Sequence, residues 1–139
     1  MSKSDATELD ILKYVYQGVA PSWAAASNVF VSLHTADPGE TGNQSTSEAT
    51  YSPYTRVTVS RTTATGGWTT SSTTKCDNLA AIAFPACASG SSTVTYVGVG
   101  TAFSGTGQLL YSGALTAQLI VTAGITPSFD TSSLTTTED

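Results

Sequence analysis

The hydrophobic period of the chain changes once, at Pro21, and that change limits what it can fold into. Before Pro21, Leu9, Leu12, Tyr16 and Val19 recur at helical spacing, and Ile11 and Val15 widen the stripe. Ser4 stands where an N-cap belongs, and Asp5 and Glu8 fill the first turn, where the helix dipole favours acids. Gly18 and then Pro21 stop the run. The pattern predicts a helix over 5–17 with one side packed on the rest of the domain. After Pro21 the period is two. NVFVSLH sets Val29, Val31 and Leu33 against Phe30, Ser32 and His34. YTRVTVSR, residues 54–61, directs Val57 and Val59 inward and Arg56, Thr58 and Ser60 outward. LAAIAF, residues 79–84, reads as a strand buried on both faces or near the middle of a sandwich. STVTYVGVG (92–100), LLYSGAL (109–115), AQLIVTAG (117–124) and a last strand near SSLTTTE complete the run. About eight short strands with Gly, Pro or Ser punctuation predict an all-β fold. The expected architecture is an antiparallel two-sheet β-sandwich, jelly-roll-like, with a short N-terminal α-helix, as a single domain over 1–139.

Composition agrees with the period. Ser and Thr make up about a third of the chain, and charged residues only 11%. Thr suits a pleated, half-exposed surface and is a poor helix interior residue. At 139 residues the chain can bury roughly two thirds of its unfolded surface, enough for a core without staples. Cys76 and Cys87 are too few for a disulfide framework and form no CxxC pair, so Cys87, after an apolar run, reads as a small buried side chain.

Charge and hydropathy exclude several classes. The net charge is −5, and Lys3, Lys13, Arg56, Arg61 and Lys75 form no run, which argues against nucleic acid and against an anionic membrane surface. No apolar stretch approaches a membrane span, and MSKSDATELD lacks a signal-peptide core, so the expectation is a soluble protein made in a cytoplasm.

Chemistry-bearing patterns are sparse. His34 is the single histidine, in HTADPGE, with no GxSxG setting for a nucleophile. The expectation is a strand-end histidine facing a loop, with Asp37-Pro38-Gly39 as a turn. Asp37, Glu40 and Glu48 are Ca²⁺-type ligands, but their spacing does not match an EF-hand. Gly98, Gly100, Gly105 and Gly107 lack the helix and lysine of a phosphate loop, and a hairpin or bulge accounts for them better. No catalytic residue, metal ligand or cofactor is expected. The segment 35–53 is a long polar loop of the kind that often carries function. The aromatics give the candidate subunit contacts: Tyr14, Tyr16 and Trp23 at the helix and its exit, and Tyr51 and Tyr54 near the loop end.

The strings VSLHTADPGETG, YTRVTVSR, AIAFPA, TVTYVGVGTAFSGTGQLLYSGAL and GITPSF, with the acidic ending TTED, resemble a family of small tailed-bacteriophage virion structural proteins. Its members are labelled head decoration or cement, virion-associated or tail fibre protein. The resemblance runs from Ala6 to Glu138 and implies a virion protein without catalytic residues, made in the bacterial host. The first reading is a capsid decoration or cement protein that binds and stabilises the major capsid protein shell. Repeated sites on a symmetric particle would add up its weak contacts. The alternative is a tail or tail-fibre component involved in assembly or host receptor binding, with Tyr51, Tyr54 and Phe103 on loop tips. Either reading implies a homo-oligomer, dimer or trimer. A glycan-degrading enzyme would need paired carboxylates, and the acids lie instead in the helix, the loop and the tail.

Overall fold

The computed structural model describes residues 1–138; Asp139, the last residue of the acidic ending, lies outside the described residues. The helix, α1, spans Asp5–Gln17 as its caps predict. Ten strands follow in chain order around it: β1 (Ser2–Lys3), β2 (Asn28–His34), β3 (Val57–Ser60), β4 (Trp68–Ser72), β5 (Lys75–Asn78), β6 (Ile82–Ala83), β7 (Ser92–Gly100), β8 (Leu109–Val121), β9 (Ser128–Phe129) and β10 (Thr135–Thr137). All pairings are antiparallel, and the class is all-β with one short helix. The strands divide unevenly: a five-stranded sheet ordered β1-β8-β7-β2-β3, a three-stranded sheet β10-β5-β4, and the pair β6-β9.

The main sheet is registered by its valines. Val29 lies opposite Val59, Val31 opposite Val57 and Val99, and Leu33 opposite Val97. Directly opposed residues share a face, so these side chains form one apolar surface. Val94 of β7 and Val121 of β8 belong to the same core, and Ile82, Phe84, Cys87 and Leu134 pack against it from outside the sheet, all at most 3% exposed. Cys76 and Cys87 are free thiols. LAAIAF is not buried on both faces: Ile82 and Phe84 point in while Ala81 and Ala83 are exposed, which is ordinary alternation. LLYSGAL and AQLIVTAG form one strand, β8. Its pairing to β7 jumps from Tyr96–Ala114 to Val94–Leu119, so residues 115–118 bulge where a break was expected.

The second face of β2 is buried too. Ser32 and His34 alternate away from the valines, yet both are fully buried. The segment 35–53 folds back to cover them, with Thr35 N–H on Ser47 O at 2.7 Å and Ala49 N–H on Leu33 O at 2.9 Å. Gln44, fully buried, accepts from Ala102 N–H at 2.8 Å and donates to Phe30 O at 3.2 Å. A Cβ on Gly100 would lie 2.2 Å from Gln44 Cδ, and one on Gly107 2.3 Å from its Oε1. These glycines exist to let Gln44 in.

Candidate interaction surface

The helix is held to the sheet by its polar side. Ser4, the N-cap, accepts from Thr7 N–H at 3.3 Å. The hydroxyls of Ser4 and Thr7 both donate to Leu109 O, at 2.5 and 3.2 Å. Gln108 Nε2 donates to Thr7 Oγ1 at 3.2 Å and to Asp10 Oδ2 at 3.0 Å, and Trp23 Nε1 donates to the same carboxylate oxygen at 2.8 Å. Gly18 ends the helix in the left-handed region at φ 69°, where a side chain would be strained. Thr7 is the one fully buried residue of α1.

The apolar stripe therefore faces outward. At 3.6 residues per turn, Leu9 lies about 200° round from Thr7. Leu9 is 50% exposed, Leu12 55%, Val15 64% and Tyr16 81%. One side of α1 does pack on the domain, as expected, but it is the polar side and not the apolar stripe. Hydroxyls and a carboxylate make a better match to the carbonyl and amide groups at the start of β8 than leucines would. A helix normally turns its apolar stripe to a core. Here no core of the same chain receives it. Seven exposed large apolar side chains in eleven residues, Ile11 and Tyr14 among them and Val19 at 53% exposure, exceed the scattered apolar exposure of an ordinary surface.

The predicted contact aromatics divide. Tyr14, 59% exposed, and Tyr16 stand on α1. Trp23 is half-buried, bonded to Asp10 and lying 6.0 Å from the Arg61 guanidinium. Tyr51 and Tyr54 are not loop-tip contacts. Tyr51 is 2% exposed and donates to Pro85 O at 3.0 Å, and burial pushes its phenol up to about 12. Tyr54 stacks on Phe84 with centroids 6.2 Å apart, and its hydroxyl accepts from Leu33 N–H at 3.0 Å and donates to Glu48 Oε1 at 2.9 Å. Both rings fill the gap over the end of β2, which a polar loop alone would leave open. Phe103 is 52% exposed against Phe30.

Arg56, expected to face outward, is 3% exposed. Its Nε and Nη2 grip Glu48 at 2.7 and 2.8 Å, and Nη1 and Nη2 donate to Ala102 O at 2.9 Å and Gly105 O at 2.7 Å. It ties the long loop to the Gly-rich turn after β7. His34 lies between Thr46 O and Ser32 Oγ, each 2.8 Å away. A carbonyl can only accept, so Nδ1 carries a proton and Ser32 donates to Nε2. Burial holds His34 below its usual value, which keeps it neutral. The Ser32–His34 pair has no carboxylate partner and no exposed atom, so its arrangement is that of a strut. Asp37, Glu40 and Glu48 are not brought to one point: Asp37 accepts from Gly39 N–H at 2.9 Å, Glu40 O accepts from Asp5 N–H at 2.9 Å, and Glu48 is committed to Arg56. Among the described residues no group of three His, Cys, Asp or Glu side chains is placed to hold a metal ion. Among the described residues no helix is long and apolar enough to cross a membrane. An open cleft of about 800 Å³ runs beside α1 between the sheets, walled by Ile11, Trp23, Val29, Trp68 and Tyr111.

A model of the family described as podophage GP4 fiber I protein gp80 matches residues 2–137. The chain belongs to this family. Membership in the gp80 fibre family places it among phage structural proteins and favours the fibre reading over capsid decoration. Among curated proteins, none matches the sequence. The residues that sequence patterns left unassigned are Leu9, Leu12 and Val15 as outward-facing groups. Their signal was present in Thr7 and Asp10, a polar pair on the opposite side of the same helix.

Proposed function

We propose that the protein is a structural subunit of the tail-fibre apparatus of a tailed-phage particle, and that it works by holding position rather than by chemistry. The family match over residues 2–137 carries this reading. The structure supports it in two ways. Its buried polar groups are spent on internal bonds, and every buried side-chain nitrogen or oxygen among the described residues has a partner. Its large exposed apolar side chains are concentrated on one element, α1, as on a subunit that docks.

Particle fractionation tests the proposal. Tails separated from heads should retain the protein, at a few to a few dozen copies per particle by quantitative gel densitometry. Hundreds of copies on tail-less heads would overturn it and restore the decoration reading.

A further inference from the structure

Leu9, Leu12 and Tyr16 are spaced three and then four residues apart, which is the a-d-a pattern of a coiled-coil seam. The register is fixed by exposure as well as spacing, since all three are at least half exposed on the side of α1 away from its own sheet. Val15 falls at the g position beside them and is 64% exposed. In the same register Glu8 falls at the preceding g position and Lys13 at the following e position. A parallel assembly pairs g of one helix with the e of the next heptad on its neighbour, five residues on, and so sets Glu8 against Lys13. An antiparallel pair sets g against g and e against e, and so opposes like charges. Among the described residues the ion pairs are Lys3–Glu138 and Arg56–Glu48, and Glu8 and Lys13 take part in neither.

We propose that α1 is the seam of a parallel homo-oligomer, in which copies of this chain bury Leu9, Leu12 and Tyr16 against one another around a closed symmetry axis. The occupant of the apolar face is thus a second copy of the same helix. Complementarity of Glu8 and Lys13 selects it over an unrelated apolar partner. Asp5, Glu8 and the net charge of −5 disfavour an anionic lipid surface. The helix is short for an isolated coiled coil, but it is already formed and anchored through Ser4, Thr7 and Asp10. Association therefore does not have to order it, which removes a main cost of assembly. Asp5, one step back along the seam, marks where it opens to water at the helix start. The proposal concerns the chain itself and does not depend on where on the particle it sits.

Light scattering on the full chain eluting from a sizing column tests it. The expected mass is a whole multiple of 14.2 kDa of at least two chains, with Leu12→Glu reduced to one chain. Leu12 is 55% exposed, so the variant's circular dichroism and melting transition should resemble those of a folded single chain. Glu8→Lys and Lys13→Glu should each weaken association several-fold, and the double exchange should restore most of it. A wild-type chain that stays monomeric at high micromolar concentration overturns the proposal, as does an assembly whose mass Leu12→Glu leaves unchanged. Strengthening by either single exchange, or failure of the double exchange to restore association, overturns the parallel arrangement.

Discussion

Arg56 lies on a strand edge whose alternation was read correctly, and it still ended up buried. The period-two pattern sets it opposite Val57, and so it is placed. What the pattern does not record is that residues 35–53 return over that side of the sheet. The guanidinium then has Glu48 as a bidentate partner. Replacing it by Met leaves that carboxylate without its countercharge. The expected loss is about 3 kcal/mol in urea unfolding, the low end for a broken buried pair, because the Glu48 side chain keeps 19% of its exposure. His34 gives a second residue-scale test. Burial lowers its folded pKa while the unfolded chain keeps an ordinary value near 6.5. The unfolded state therefore binds the proton first as pH falls, and stability drops below about pH 6.5. Unfolding free energies measured between neutral and mildly acidic pH should show this decline in the wild type, and His34→Gln should show a shallower one.

At the scale of the element, legibility followed the kind of signal. The bounds of α1 were readable because Ser4 and Gly18 act locally through caps. Its orientation was not, since an apolar stripe shows that a core is needed and not which molecule supplies it. The sandwich strands β2 and β7 were readable from strict alternation. The last strand, expected near SSLTTTE, is β10, but β4 (WTTSS) and β5 (KCDN) were not readable, because polar residues on both faces erase the period. They are fixed instead by particular side chains. Asn78, fully buried, donates to Ala80 O at 2.7 Å and Asp130 O at 2.8 Å and accepts from Leu134 N–H at 2.9 Å. Asp77 is held below the usual carboxylate range by hydroxyls of Ser71 and Thr135. β6 is two residues long, yet Ile82 is 3% exposed in the central cluster. Ile82→Ala should cost about 2–5 kcal/mol by equilibrium unfolding, as buried large-to-small changes do. A near-neutral value would mean that this short strand does not anchor the layer facing the main sheet.

For the molecule as a whole, the candidate site was half legible. Tyr14 and Tyr16, read as candidate contacts, are exposed on α1, but Tyr51 and Tyr54 were assigned to a surface that they instead support from beneath. Aromatic residues near a polar loop look alike in sequence whether they seal the loop or crown it. What distinguishes them is the return path of 35–53, a tertiary fact. The resulting division is consistent: polar residues anchor α1 and the long loop to the apolar-cored domain, and apolar residues of α1 face away from it. That arrangement supports the proposed seam through α1, and the chain belongs to a phage fibre family. The most direct measurement is the position of the protein on intact particles, by electron microscopy with gold-conjugated antibody against the native chain. A fibre subunit predicts label confined to projections at the tail. Label spread evenly over the head would contradict the account.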